Sequence, residues 1–179
     1  MGGNLDATNI VKNTKLAVLV SISMDHMSFL GNTLGEIAEK KAGIIKPGCR
    51  VVTTKQKPEA SRVIADTCKK LHVPCVVSDP DEAVLEKESV FGQTFSYKGE
   101  EFAISLAGVY QKENAVLALN ALEELDRLGW TTTMEQRKDG LLHTSWKGRF
   151  TVINKKPLFI VDGAHNAGAA DKMAESIRH

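Results

Sequence analysis

The sequence lacks several features that would place it in other classes of protein. It contains no run of eighteen apolar residues and no secretory signal pattern at its start, so we expect no membrane segment. Its 23 lysines and arginines nearly balance its 22 aspartates and glutamates. This balance gives no argument for nucleic acid or an acidic membrane as a partner. The phosphate-binding motif G-x-x-x-x-G-K-[ST] is absent, as are C-x-x-C, G-x-S-x-G and H-E-x-x-H.

Cysteine is also scarce in this chain. Cys49, Cys68 and Cys75 are odd in number and share no spacing that is typical of metal ligands. We interpret them as reduced, mostly buried thiols and predict a cytoplasmic protein. A hydrophobic content of 42% and a charged content of 25% are ordinary for a globular protein, and 179 residues suffice to bury a core.

The first 80 residues alternate between strand and helix patterns, which predicts an α/β fold with a doubly wound, mostly parallel sheet. The run from Leu16 to Ile22 is rich in Val and Ile, so we expect a strand that is covered on both faces. Thr33 with Glu36 fits a capping box at the start of the next helix. The remaining elements of this part are predicted as strands at residues 49–54 and 73–77 and a helix at 57–71.

The second half of the chain follows a different pattern. Residues 90–106 read as an antiparallel hairpin with a glycine-containing turn. Helices at about 112–128 and 133–143, two short strands and a helix from Ala167 follow it. A single strand–helix piece cannot bury its own faces, so residues 147–179 are predicted to begin another domain after a first domain at 1–146.

Two polar positions follow the first predicted strand and its helix. Asp25 and His26 lie just past the strand, where open α/β sheets place their ligands. His26 fits either a ligand of a divalent cation or a histidine satisfied within the protein. Lys41 lies in the last helical turn and fits an ion pair, a phosphate contact or a chemically modified metal ligand.

Five further residues in the second half could contact a nucleotide. Gln111 and Asn114 lie three apart on one helical face and could read a base edge or cap the helix. Arg149 follows Gly148 and could clamp a phosphate or lie free at the surface. Asp162 and His165 lie between a strand and a helix N-terminus, where they could meet a ribose and a phosphate; alternatively, Asp162 caps the helix and His165 is solvated.

Six stretches in collinear order resemble the folylpolyglutamate synthase/dihydrofolate synthase family of the Mur ligase superfamily. The resemblance extends over nearly the whole chain and matches the middle of the family's length, without its P-loop. The stretches are Gly2–Asn9, Ser23–His26 with Leu30–Thr33, Ile37–Ile44, Gln111–Ala115, Gly148–Phe150 and Asp162–Asn166.

The resemblance implies an ATP-dependent ligase that adds L-glutamate to a folate or dihydropteroate carboxylate through an acyl phosphate. His26 matches a histidine ligand of Mg²⁺, and Lys41 matches a lysine that is carbamylated in this superfamily. The resemblance further implies that residues 1–146 are the C-terminal part of the ATP-binding central domain, and that 147–179 start the C-terminal, Rossmann-like ligase domain. The family's nucleotide contacts match Gln111 and Asn114 on the adenine side, and Arg149, Asp162 and His165 across the domain boundary.

The sequence departs from the family pattern at four positions. Lys40 replaces a usual Glu beside Lys41, and Tyr110 stands where His commonly precedes the Gln. Asn4 and Lys147 replace a frequent Arg and a frequent Pro. We expect the fragment to be inactive alone and the full-length protein to be a monomer. Two alternatives are another Mur-type ligase acting on a peptidoglycan precursor and a non-catalytic nucleotide-binding module.

Overall fold

The computed structural model describes residues 3, 7–24 and 30–178 of the chain. Within these residues lie five α-helices, at α1 Leu34–Ala42, α2 Pro58–Leu71, α3 Gln111–Asp126, α4 Met134–Leu142 and α5 Ala167–Arg178. Short 3-10 helices lie at Ala7–Ile10 and Pro80–Glu82. The strands are β1 Leu16–Leu19, β2 Arg50–Thr54, β3 Cys75–Ser78, β4 Val84–Ser89, β5 Gly92–Tyr97, β6 Glu100–Ile104, β7 Thr151–Lys155 and β8 Leu158–Val161. None of the helices in these residues has the length and apolar character needed to cross a membrane.

The chain divides into two compact units, and helix α3 has residues in both. The first unit comprises Met1–Ser78 and Asn120–Thr131, and the second comprises Asp79–Leu119 and Thr132–His179. The first unit holds a parallel sheet in the order β1-β2-β3. The second holds an antiparallel sheet in the order β4-β5-β6 and a separate antiparallel pair of β7 with β8. The predicted α/β class with a parallel sheet and antiparallel strands is confirmed.

Helix α1 begins where the sequence predicts it. The Thr33 side chain accepts a hydrogen bond from the Glu36 N–H at 3.2 Å, and the Glu36 carboxylate accepts one from the Thr33 N–H. Both halves of the capping box are therefore present, which satisfies two N–H groups that have no partner within the helix. The buried side chains Ile37 and Ala38 then pack α1 into the core of the first unit.

The expectation that the first strand is covered on both faces is wrong for the residues that the structure describes. Ala17 and Leu19 of β1 are buried, whereas Val18 is 38% exposed and the following Val20 is 53% exposed. Helices α1 and α2 both contribute to the hydrophobic cluster that contains Ala17 and Leu19, so they lie on the same face of β1. Strand β1 is also an edge of the described sheet, which limits its coverage.

The second unit has an aromatic core on its antiparallel sheet. The rings of Phe95 and Phe102 stack with their centroids 5.5 Å apart. The hairpin turns at Lys98 and Gly99, whose φ angles of 51° and 80° match the two-residue type I′ turn that suits strand twist. The sequence analysis missed β4, because its residues are nearly all exposed and show no apolar alternation. This unit positions the start of α3 and the turn after β8.

Candidate functional site

Lys41 lies in the last turn of α1, where three segments of the first unit meet. Its side chain is half-buried, and its backbone oxygen accepts a hydrogen bond from the Gly43 N–H. The Asn9 amide donates to the Gly43 oxygen at 3.2 Å and so joins the N-terminal 3-10 helix to this turn. A Cβ on Gly3 would lie 2.8 Å from the Lys40 oxygen and 2.7 Å from the Ile44 nitrogen. Gly3 therefore packs directly on the backbone around Lys41.

The predicted magnesium site cannot be assembled from the residues that the structure describes. Asp25 and His26 lie outside those residues. Across residues 3, 7–24 and 30–178, no group of three His, Cys, Asp or Glu side chains is placed to hold a metal ion. Lys41 offers no metal-binding oxygen as an unmodified ammonium. The described side chains thus supply no complete donor set, and we derive no chemical step through a metal.

Asp162 is the centre of the site in the second unit. One of its carboxylate oxygens, Oδ2, accepts a hydrogen bond from the Phe150 N–H at 2.7 Å and from the Tyr110 hydroxyl at 3.4 Å. The other, Oδ1, accepts from the Ala164 N–H at 2.8 Å. An ionised carboxylate has about four acceptor positions, so at most about one is left for a ligand. Of the two sequence alternatives for Asp162, a ligand contact and a helix cap, the described contacts do not give the cap: at the start of α5, Asn166 Oδ1 accepts from the Ala169 N–H at 2.8 Å.

Two short segments run together beside Asp162. The Gly163 N–H donates to the Gly148 oxygen at 2.8 Å, so the junction before β7 lies next to the turn after β8. Phe150 has a φ of 42°, a left-handed conformation that is uncommon for a bulky residue. Arg149 is exposed between Gly148 and Phe150, and the His165 ring lies 2.7 Å from the Gly163 oxygen. Arg149 and His165 therefore lie on the two paired segments.

The adenine-side pair predicted from sequence lies at the start of α3. Gln111 is 5% exposed, and its side-chain oxygen accepts a hydrogen bond from the Asn114 amide at 3.2 Å. Asn114 itself is exposed, which leaves its side chain accessible to a ligand. The predicted common helical face of these two residues is confirmed by this contact. Tyr110 precedes Gln111 and joins the pair to Asp162.

The charges around Tyr110 show that Arg149 belongs to this cluster. Burial raises the pKa of the Tyr110 hydroxyl, and the negative charge of Asp162 raises it further. The positive charge of Arg149 acts in the opposite direction and lowers this pKa in part. The structure thus links the three segments of the second unit that carry these residues: the start of α3 with Gln111 and Asn114, the junction with Arg149, and the turn with Asp162 and His165. Lys41 belongs to the first unit.

Two contacts of this site were not predictable from the sequence. The Tyr110 hydroxyl reaches Asp162, whereas the sequence marks Tyr110 only as a departure from the family pattern. The second contact involves Ser176, which is 9% exposed and whose hydroxyl accepts from the Val109 N–H at 3.1 Å. No local signal marks either contact, because each joins residues more than fifty positions apart. The left-handed Phe150 has no sequence signal either.

A separate cavity of about 840 Å³ lies in the second unit beside the junction segment. The exposed rings of Phe91 and Trp146 and the cationic Lys147 and Lys155 are among its lining residues. Arg149 is the one sequence-predicted site residue in its described lining, whereas Gln111, Asn114, Asp162 and His165 are not. The cavity therefore shares Arg149 with the polar cluster and none of its other four predicted residues.

Comparison with known proteins gives consistent matches over the whole chain. A dihydrofolate synthase/folylpolyglutamate synthase of Bacillus subtilis is 37% identical over 186 residues, which cover 99% of this chain and 43% of that protein. A folylpolyglutamate synthase of Lacticaseibacillus casei is 31% identical, with the same two coverages. No protein-family model matches the chain. This chain spans less than half the length of the curated relatives that it matches.

Solved structures match the same region. A folylpolyglutamate synthase in complex with AMPPCP and folate matches with a TM-score of 0.87 and 28% identity, covering 99% of this chain and 45% of the other. A Mycobacterium tuberculosis folylpolyglutamate synthase with ADP and AMPPCP matches with a TM-score of 0.85 and 28% identity, covering 100% of this chain and 42% of the other. The fold of this chain is therefore that of a Mur-ligase-type α/β protein.

The particular family follows from the identity over the whole chain. The matches identify the folylpolyglutamate/dihydrofolate synthase family, of which this chain matches a fragment. The resemblance stated from the sequence motifs is confirmed.

Proposed function

We propose that this chain supplies the nucleotide-contacting part of an ATP-dependent ligase that adds L-glutamate to a folate or dihydropteroate carboxylate. The observation that carries the proposal is the cluster around Asp162, in which Tyr110 joins the start of α3 to the turn that bears His165. Relatives whose structures were solved with AMPPCP share this fold at a TM-score of 0.85 to 0.87.

In the proposed reaction, the γ-phosphoryl group of ATP moves to the substrate carboxylate, and ADP leaves. The amine of L-glutamate then attacks the acyl phosphate, inorganic phosphate leaves, and an amide bond forms. Such a transfer depends on positioning the two substrates and on cations that offset phosphoryl charge. The residues of this chain serve those two tasks.

The five residues of the second unit have distinct proposed roles. Gln111 and Asn114 contact the adenine edge, for which the exposed Asn114 amide offers both a donor and an acceptor. Arg149 contacts the phosphates as a permanently charged, exposed guanidinium. Asp162 directs its remaining acceptor position to a ribose hydroxyl, and His165 meets a phosphate at the start of α5.

Lys41 and His26 are proposed to serve a magnesium ion, with Lys41 carbamylated. A carbamate on Lys41 would lie at the C-terminal end of α1, which is the negative end of the helix dipole. This end favours cations by about 0.3–1 kcal/mol and therefore disfavours the anionic carbamate. A nearby positive charge would offset this effect, and Mg²⁺ and the adjacent Lys40 ammonium are suited to supply it. Mass spectrometry of the intact chain in bicarbonate, with Lys41→Ala as the control, tests the modification.

The proposal also covers the organisation of the chain. Residues 1–146 are assigned to the ATP-binding central domain, and residues 147–179 are assigned to the linker and the start of the ligase domain. Gly148 and Phe150, both at positive φ, lie where this division places the linker. We further propose that the complete enzyme is a cytoplasmic monomer.

The test is a chimera in which this chain replaces the matching segment of the Bacillus subtilis relative. Glutamate-dependent ADP release with dihydropteroate or folate is expected. Turnover with a UDP-linked peptidoglycan precursor instead would overturn the substrate assignment. A chimera that binds AMPPCP with a raised melting temperature but turns over neither substrate would favour a non-catalytic nucleotide-binding module.

A further inference from the structure

The hydroxyl of Tyr110 connects two parts of the second unit that are distant in sequence. Tyr110 immediately precedes α3, and its hydroxyl donates to Asp162 Oδ2 across 52 positions of the chain at 3.4 Å. The same oxygen accepts from the Phe150 N–H at 2.7 Å. One carboxylate oxygen therefore ties the start of α3 to the junction before β7.

The segment before Tyr110 has a second attachment. The Val109 N–H donates to the hydroxyl of Ser176 on α5 at 3.1 Å. A Cβ on Gly108, which has a φ of 112°, would lie 3.2 Å from the Tyr110 ring and 3.4 Å from the Ser176 hydroxyl. The absence of a side chain at Gly108 therefore lets the Tyr110 ring and Ser176 approach the loop together.

The bond to Asp162 acts on a strained position. Phe150 is buried at a φ of 42°, a left-handed conformation that is unfavourable for a bulky residue. The carboxylate accepts the Phe150 N–H in a charge-assisted hydrogen bond, which is stronger than a neutral one. Because Arg149 immediately precedes Phe150, whatever fixes this backbone also fixes the direction in which Arg149 leaves it.

The Tyr110 hydroxyl can keep this role across the neutral range. A tyrosine hydroxyl is protonated at neutral pH in any case, and burial and the negative charge of Asp162 raise the pKa of Tyr110 further. Loss of the Tyr110 hydroxyl would remove one of the three hydrogen bonds that the Asp162 carboxylate accepts, and with it the contact between the start of α3 and the 162–165 turn.

We propose that Tyr110 is a positioning residue, which holds Asp162 so that Arg149 and the 162–165 turn keep one arrangement beside the start of α3. The link between Tyr110 and Phe150 stands on the geometry alone. Its consequence for nucleotide binding rests on the proposed function.

The first test needs no nucleotide. Amide hydrogen exchange of the full chain is compared between the native protein, Tyr110→Phe and the control Tyr97→Phe, which removes the hydroxyl of the only other tyrosine. Exchange at Phe150 and Ala164 is expected to accelerate about 3- to 10-fold in Tyr110→Phe, as loss of one hydrogen bond predicts. Unchanged exchange at both amides, or equal acceleration in Tyr97→Phe, would overturn the proposal.

The second test measures AMPPCP affinity by calorimetry for the native chain, Tyr110→Phe, Asp162→Asn and the double variant. A loss of about 3- to 10-fold is expected for Tyr110→Phe, and the two losses are expected not to add, because the residues act through one contact. Additive losses, or native affinity in Tyr110→Phe, contradict the positioning role. If the native chain and the chimera bind no AMPPCP, the proposed function fails, and the exchange result still decides the role of Tyr110.

Discussion

The surroundings of Gly3 and Gly140 predict opposite effects of a glycine-to-alanine substitution on the free energy of unfolding. Gly3 lies against the backbone at the end of α1, where an added Cβ would approach three backbone atoms to less than 3 Å. Gly140 lies within α4, and nothing lies within 4 Å of a Cβ built on it. The difference between them is spatial, since both are glycines in polar stretches of sequence.

We expect Gly3→Ala to lower the free energy of unfolding by about 1–3 kcal/mol, because backbone atoms cannot yield as a flexible side chain does. Gly140→Ala is expected to raise it by about 0.5–1 kcal/mol through the better helix propensity of alanine. Urea unfolding of both variants measures the difference. Equal effects of the two substitutions would show that Gly3 is not held against the end of α1.

The buried thiol of Cys68 predicts that the stability of the folded chain depends on pH in the alkaline range. Burial raises the pKa of Cys68 to about 12, with further increases from the neighbouring Cys75 and Cys49. The folded chain therefore keeps a proton that the unfolded chain loses above its ordinary pKa of 9.0. The contribution to stability is fully present below pH 9 and is lost as the pH rises towards 12.

We expect the free energy of unfolding to fall between pH 9 and 12 with a slope that is smaller in Cys68→Ala. The same burial predicts that Cys68 reacts slowly with a thiol reagent at pH 8 in the folded chain and rapidly in denaturant, since the thiolate is the nucleophile. Fast labelling of Cys68 in the folded protein would contradict the assigned burial.

At the scale of elements, a buried carboxylate anchors the second half of α3 in the first unit. Glu124 is 2% exposed and accepts hydrogen bonds from Arg50 of β2 and, at 2.5 Å, from Arg127 one turn further along the chain. A fully buried carboxylate is stable only with such partners. The pair with Arg50 joins α3 to the parallel sheet across 74 positions of sequence.

Glu124→Ala is expected to destabilise the chain by about 3 kcal/mol, because it leaves the partly buried Arg50 without its counter-charge. Glu100→Ala is the matched control: it removes a pair with Lys138 in which both side chains are at least 40% exposed, and we expect a cost of at most about 1 kcal/mol. Thermal unfolding of both variants measures the difference. Similar costs would indicate that Glu124 is solvated in solution.

At the scale of the whole molecule, the sequence contains the proposed nucleotide contacts without a phosphate-binding glycine loop. We therefore predict that the pure 179-residue chain releases no ADP in a glutamate-dependent manner, because its sequence lacks the glycine-rich motif whose backbone would hold the β- and γ-phosphates. A coupled ADP assay with folate, dihydropteroate and L-glutamate measures this. Turnover by the isolated chain would show that another element performs the phosphate-binding role.

Much of the fold was predictable from local pattern. The capping box at Thr33, the apolar stripe of α2 and the hairpin turn at Gly99 each depend on residues within one or two turns of chain. Strand β4 was not predictable, since an exposed strand leaves no alternation of apolar residues. The order of the motifs along the chain predicts the candidate site as a set of residues, and the roles of those residues stay predictions.

The sequence by itself determined most of the elements, the family and the candidate contacts, because capping, periodicity and motif order are properties of neighbouring residues. The tertiary structure alone decided that Tyr110 reaches Asp162, that Phe150 takes a left-handed conformation and that Gly3 packs on the turn after Lys41. The contacts of Tyr110 and Gly3 join segments that are far apart in sequence, and the backbone of Phe150 is bonded to Asp162, twelve positions later. Their pairing depends on how the intervening chain folds and on which polar groups are left to be satisfied once it has done so.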